Sequence, residues 1–394
     1  MQVFSTTSRI IITCSNRLSP WLQLEVAELG FKPERVFKTG VELKGTLADC
    51  IKLNLNLRCA SQVLFSLQEF SADNADQLYD ALIEFPWEEV LDVRGYFSIS
   101  SNVSNDTINN SLFANVKVKD AIVDRFRNKT GERPDSGPML DKTVIHLYWK
   151  ESLAEIFIDT SGETLSKHGY RKIPGKAPML ESLAAATLLG TKWDRRSAFI
   201  NPMCGSGTVA IEAALLATKR KPGLLRFNYA FMHLVGYTEE MYQAEFKKLE
   251  QQVIDVPGLK ITATDISEDA VNISKVNAGI AGVEEYIEFE VCDFEETNIP
   301  EAIGAEGETG VVYFNPEYGD RLGVEAELEV TYKRVGDFLK KKCKGYFGYI
   351  FTGNLELAKK IGLKPNRRIE FYTSKIDCRL LEYELYSGTK RADK

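Results

Sequence analysis

Asn201-Pro-Met-Cys-Gly-Ser-Gly-Thr208 and Asn315-Pro-Glu-Tyr318 are the two stretches whose residue types and spacing can do chemistry. The first sets Gly205 and Gly207 between an apolar strand beginning at Ala198–Ile200 and a helix over Thr208–Ala217. Glycines there let the backbone turn sharply and approach a ligand closely. The loop is not Gly-x-x-x-x-Gly-Lys-Ser/Thr, which disfavours a P-loop nucleotidase, and it lacks the third spaced glycine of a dinucleotide site. Asp265, followed by Ile266, ends the next strand (Leu259–Asp265), where a carboxylate can accept both hydroxyls of a ribose. Asp293 follows a third strand, Ile287–Val291, placed to receive an adenine amine. Either acid taken alone is equally a cap for the following turn. Together, Asn201, Pro202, Cys204, Gly205, Ser206, Gly207, Thr208, Asp265, Ile266 and Asp293 outline a pocket for an adenosine-containing ligand without a bridging phosphate, which S-adenosylmethionine satisfies. Cys204 lies on this side of the pocket and reads as a small buried filler, not a nucleophile.

The second stretch suits an amine acceptor. The lone pair of an exocyclic amine on a nucleobase is delocalised into the ring, so methylation needs acceptors that hold both N–H groups. The Asn315 side-chain oxygen and the Pro316 carbonyl can supply two, and Tyr318 offers a ring for stacking, worth about 1–3 kcal/mol per base. A base within a helix must also be extruded. Alone, Asn-Pro also starts turns after strands; it gains meaning in register with the glycine loop.

The elements that must position these residues alternate in the second half of the chain. Helix is expected over Pro178–Leu189, Thr208–Ala217, Glu268–Ile280, 328–341 and Leu355–Ile361. Strands are expected over Gly310–Asn315 and Tyr346–Thr352, with a closing hairpin of Arg368–Tyr372 and Ile376–Tyr386 around Thr-Ser-Lys. That rhythm implies a parallel, doubly wound sheet with an antiparallel pair at one edge. Residues 220–256 look like an insertion. The first half reads as α+β: strands near Ile10–Cys14, Val41–Leu43, Gln62–Phe70, Tyr96–Ser100, Val144–Trp149 and Glu155–Asp159, with helices over Pro20–Leu29, Leu47–Leu57, Ala75–Ile83 and Phe113–Arg127. Small sheets with helices on one face are expected there.

The 394 residues are 44% hydrophobic and 27% charged, ordinary for a globular protein of two or three domains. No apolar run approaches the roughly 18 residues of a membrane span, and Met1–Thr13 is not a signal segment, so a cytoplasmic protein is expected. Seven scattered cysteines and three histidines argue against a disulfide framework and a metal site. The net charge of −7 does not advertise nucleic-acid binding, but its distribution does. Residues 166–176 carry four positive charges and no acid, and a second basic stretch runs through Lys117, Lys119, Arg125 and Arg127. A phosphate backbone can lie along such stretches; Lys117, Lys119, Arg127, Lys167, Arg171 and Lys172 are the candidate RNA contacts.

Across nearly its whole length the chain resembles the THUMP-domain RNA methyltransferases that modify guanine N2 in bacterial large-subunit ribosomal RNA. The resemblance rests on Lys117–Phe126, Asp159–Leu165, His168-Gly-Tyr-Arg171, Ala177–Ala186, Phe314–Gly323 and Asp377-Cys-Arg-Leu380. It implies a ferredoxin-like and THUMP RNA-binding region over 1–160, a basic junction over 161–176, and a Rossmann-like class I methyltransferase domain over 177–388. It further implies S-adenosylmethionine as donor, structured RNA such as 23S rRNA as partner, and Asn315, Pro316 and Tyr318 as the residues that orient and stack the target base. The family usually has Asp at position 201 and a second Pro at 317, where this chain has Asn and Glu. Guanine-N2 methylation of tRNA, adenine-N6 methylation, and an inactive RNA-binding assembly factor remain as alternatives.

Overall fold

Burial and strand pairing place the parallel strands of the second half in a single open sheet, as their apolar runs require. The computed structural model describes residues 3–108, 110–173, 175, 178–300, 309–318, 325–373 and 376–386. In chain order the described elements begin with β1 (Ser8–Thr13), α1 (Ser19–Glu28), β2 (Arg35–Phe37), β3 (Gly40–Gly45), α2 (Leu47–Asn56), β4 (Gln62–Ser71), α3 (Ala75–Ile83) and β5 (Tyr96–Ser104). They continue with α4 (Ser111–Thr130), β6 (Asp135–Ser136), β7 (Thr143–Lys150), β8 (Leu153–Asp159), α5 (Glu181–Leu189), β9 (Phe199–Pro202), α6 (Thr208–Ala217) and α7 (Glu239–Gln252). The last are β10 (Ile261–Asp265), α8 (Glu268–Ala281), β11 (Ile287–Val291), β12 (Val311–Phe314), α9 (Glu325–Lys342), β13 (Phe347–Thr352), α10 (Leu355–Lys360), β14 (Arg367–Thr373) and β15 (Ile376–Glu384).

The chain divides into two units. The first comprises Met1–Cys14, Leu22–Ser166 and Pro222–Gln251; the second comprises Ser15–Trp21, Lys167–Lys221 and Gln252–Lys394.

In the first unit, the described strands form one eight-stranded sheet in the order β2-β3-β1-β4-β8-β7-β5-β6, not the separate small sheets expected. The reason is β4. Its first residues, Gln62–Phe65, pair with β1, while Leu64–Ser71 pair with β8, so one long strand serves both halves. Strands β2 and β6, three and two residues long, carry no periodicity that a sequence could reveal. The helices follow their caps: Thr46 and Asp49 close a capping box on α2, and α4 runs from an Asn110 cap to a left-handed Gly131.

Most of the insertion read from sequence over 220–256 packs within the first unit, as residues 222–251. Asn56 Nδ2 donates to Glu245 Oε1 (2.9 Å), and Arg226 donates to the carbonyls of Glu163 and Thr164. Conversely, Ser15–Trp21 belongs to the second unit, where Trp21 stacks on Phe371 and Arg17 pairs with Asp377.

The second unit carries a seven-stranded sheet in the order β11-β10-β9-β12-β13-β15-β14. The first five are parallel; β15 and β14 add the expected antiparallel edge. The chain starts at β9, moves outward through β10 and β11, then returns to the other side of β9 as β12. Strand order therefore reverses between β9 and β12, where open α/β sheets bind ligands. Among the described residues, no helix is long and apolar enough to cross a membrane, and no cluster of His, Cys, Asp and Glu is arranged for a metal ion.

Candidate active site

Both sequence motifs leave this switch point. Every residue of β9 and β12 is buried, so the two strands are fixed and only their carboxyl ends open to ligand. Beyond β9 the chain bends through Met203 (φ 58°), Gly205 (φ 56°) and Gly207 (φ 78°). Left-handed backbone suits the glycines but costs a residue such as Met203 of order 1–3 kcal/mol. A Cβ at Gly207 would lie 2.9 Å from Ser274, so glycine is required there for space as well.

The loop is held from outside. Asp265 Oδ2 accepts from the Gly205 amide (2.9 Å), while its Oδ1 accepts from the Ser267 amide (3.0 Å). Ser274 on α8 donates to the Gly205 carbonyl (2.7 Å), and Asn277, one turn on, donates to the Ser206 carbonyl (3.3 Å). Cys204 is buried with its thiol pushed up to about 12 by desolvation, as befits a filler.

The site fits an adenosine-bearing donor on three observations. Asn201 Oδ1 is buried without a hydrogen-bond partner among the described residues. A Cβ built on Gly205 would meet open space. And α6 begins after Gly207 with no side-chain oxygen on its first amides, leaving its positive end for a carboxylate. Asp293, beyond β11, has its Oδ1 taken by Arg334 (2.8 Å) and the Glu295 amide (3.0 Å). Burial alone would raise this carboxyl, but those two donors hold it below its ordinary value. Phe294 and Phe314, neighbours in sequence of Asp293 and Asn315, pack edge to face at 5.8 Å and so tie the donor side to the acceptor side.

On the acceptor side, Pro316 is buried, Asn315 and Tyr318 are half-buried, and Glu317 is exposed. The Tyr318 ring rests edge-on against Phe351 (6.4 Å between centroids) and directly over Gly353. Burial and the neighbouring Cys378 push its phenol up. The rest of the resemblance in this loop, Gly319–Gly323, lies outside the described residues.

The candidate RNA contacts separate. Lys117, Lys119 and Arg127 lie on α4 of the first unit, beside Asp76, Asp120 and Asp124 respectively. Lys167 and Lys172 are exposed in the second unit. Arg171 departs from the expectation of a surface cation. Its side chain is 10% exposed, paired with Glu181 (3.1 Å) and bonded to Thr208 Oγ1 (3.1 Å) and the Met179 carbonyl. Sequence reasoning also missed Ser274, Asn277, Arg334 and Gly353; the one signal was Ser274 and Asn277, polar residues a helical turn apart.

An open parallel sheet, a glycine loop and carboxylate on adjacent strand ends, and Asn-Pro-Glu-Tyr across the switch point define a class I methyltransferase domain. The chain belongs to the family described as RMKL-like, methyltransferase domain, whose pattern matches residues 168–382. A RlmL ferredoxin-like domain matches residues 9–64 and a THUMP domain residues 72–159. Among curated proteins, the chain is 33% identical over 385 residues to ribosomal RNA large subunit methyltransferase K/L of Syntrophotalea carbinolica, covering 96% of this chain and 53% of that protein. It is 35% identical over 378 residues to the protein of the same name in Psychromonas ingrahamii, covering 95% and 50%. The chain thus spans about half the length of these relatives. Among solved structures, it is similar to a predicted N6-adenine-specific DNA methylase from Listeria monocytogenes (TM-score 0.85, 28% identity, 96% of this chain and 97% of that one). It is equally similar in fold to a possible methylase from Clostridium difficile 630 (TM-score 0.85, 26% identity, 98% and 100%).

Proposed function

We propose that this chain transfers a methyl group from S-adenosylmethionine to the exocyclic N2 of a guanine in 23S ribosomal RNA, in the bacterial cytoplasm. The observation that carries the reading is the placement of the glycine loop and Asn315-Pro-Glu-Tyr318 at the ends of neighbouring parallel strands. The K/L relatives supply the substrate class. The donor brings a methyl group activated on a sulfonium; the chain supplies position. Asp265 holds the ribose side, Asp293 the adenine side, and Gly205–Gly207 the close backbone approach. Asn315 and the Pro316 carbonyl accept from the target amine, and Tyr318 provides the ring against which the base rests. Holding amine and methyl in line is what accelerates such a transfer. The exposed cations of the chain meet the phosphate backbone.

The test is methyl transfer from labelled S-adenosylmethionine to undermethylated total RNA, followed by nucleoside digestion and mass spectrometry. Labelled N2-methylguanosine from 23S rRNA is expected, and Asn315→Ala should abolish it while leaving donor binding largely intact. A second reading, adenine N6, is favoured by the likeness to the Listeria methylase, because Asn-Pro-x-Tyr also suits that amine. Label in N6-methyladenosine would establish it, and label in tRNA would move the substrate. Failure to bind the donor at millimolar concentration would instead leave an RNA-binding assembly factor.

A further inference from the structure

The basic segment from Lys167 to Ile173 has two faces. Lys167 and Lys172 are exposed. The side chains between them turn inward, onto the helix that follows the glycine loop. His168 Nδ1 lies 2.7 Å from Glu212 Oε1 on α6, and both side chains are fully buried. Tyr170 is also fully buried, with Glu212 and Glu181 as its charged neighbours. Arg171 donates from one nitrogen to Thr208 Oγ1, the first residue of α6, and pairs from the same nitrogen with Glu181 at the start of α5. Asn277 on α8 donates both to the Ile173 carbonyl and to the Ser206 carbonyl, each at 3.3 Å.

The segment is therefore tied to the glycine loop and the helix that follows it at three places: through Glu212, through Thr208, and through Asn277. A run of cations laid against RNA would not need these ties. A charged fork that is nine-tenths buried, bonded to the residue where the glycine loop becomes helix, fixes that loop. We propose that Arg171 is a positioning residue for the donor: through Thr208 it sets the first turn of α6, and with it the backbone of Ser206–Thr208 that closes on S-adenosylmethionine. This rests on the functional reading above. It also divides the basic segment by role, with the inner residues serving the donor and the exposed Lys167 and Lys172 facing the phosphate backbone.

The experiment measures, on the full chain, S-adenosylmethionine affinity by calorimetry and the affinity for transcribed 23S rRNA across a salt series. Arg171→Lys keeps a charge for buried Glu181 but loses the fork. Thr208→Val removes the other end of the same bond with little change of shape, and reads the contact even if the first variant folds poorly. Each is expected to weaken donor binding by about tenfold, the effect of losing one hydrogen bond to a charged group. The double variant should lose less than the two single losses combined, since both remove the Arg171–Thr208 bond. The donor KM should rise, kcat at saturating donor should hold, and the RNA salt slope should stay at the wild-type value. Wild-type donor affinity in both variants overturns the proposal, as does a salt slope in Arg171→Lys reduced by about one, the signature of a lost phosphate contact. A wild-type chain that binds no donor overturns the functional reading itself, before any variant is compared.

Discussion

The Asn201 side-chain amide donates to the Tyr313 carbonyl at 2.9 Å, bridging β9 and β12 where their backbone pairing has ended. The ladder pairs Phe199 with Val311 and Ile200 with Val312, then stops. One residue further on, a side chain takes the place of the next backbone rung. The strands thus separate where the glycine loop and Asn315 begin, and the crevice between them is spanned at its base by one amide.

That bond makes Asn201→Asp informative. A carboxylate cannot donate to the Tyr313 carbonyl, and at 1% exposure water cannot replace the lost partner. Stability should fall by about 1–3 kcal/mol, the penalty for stranding a buried polar group. Urea unfolding checks it; an unchanged midpoint would mean the two strands hold their spacing without the bridge.

Gly353 should control Tyr318. A Cβ there would lie 2.9 Å from the Tyr318 ring and 2.6 Å from Ile376 Cγ2, both too close to keep. Gly353→Ala must push the ring away from its seat, at a cost of about 1–3 kcal/mol if the core does not yield. Methyl transfer should drop by at least about tenfold while donor affinity stays near wild type. Equal losses in donor affinity would show that the disturbance spreads to the glycine loop.

Asp265 holds the loop before it holds any ligand, because both its oxygens accept from backbone amides. Asp265→Ala should weaken donor binding by more than about tenfold, given about 1.5–3 kcal/mol for each hydrogen bond to a charged group. Asp265→Asn, which keeps one acceptor, should lose less. Calorimetry separates the two, and tight binding by the alanine variant would mean the loop supports itself.

What the sequence made legible were the residues at strand ends, because a glycine loop and Asn-Pro-Glu-Tyr have few purposes after buried apolar strands. The residues that hold them were not legible. Ser274, Asn277, Arg334 and Gly353 reach the site from helices and turns distant in sequence, and each looks ordinary in its own element. Arg171 shows the same limit from the other side. Its basic neighbours made it look like surface, and only the return of Glu181 and the start of α6 to the same place explains its burial. In the first unit, the longer strands followed from alternation while β2 and β6 did not, and one sheet or two depended on β4 pairing along both edges, which alternation does not encode.

The β7–β8 hairpin should show two opposed pH dependences. Burial lowers His146 to about 4 from its ordinary 6.5, and raises Asp159 to about 6 from its ordinary 3.8. Both belong to this hairpin, where Val144 pairs with Asp159 and His146 with Phe157. As pH falls from 6.5 towards 4, the unfolded chain protonates its histidine while folded His146 resists, so this contribution to stability is lost. Over the falling range from 6 to 3.8, folded Asp159 takes its proton before the unfolded chain does, so stability is gained. At about 1.4 kcal/mol per unit, each contribution amounts to roughly 3 kcal/mol and they largely cancel in the wild type. Asp159→Asn should therefore expose a loss of stability on acidification between pH 6.5 and 4. His146→Gln should expose a gain between pH 6 and 4. Urea unfolding across that range reads both slopes, and two variants that acidify in parallel with the wild type would show that neither group changes its affinity for protons on folding.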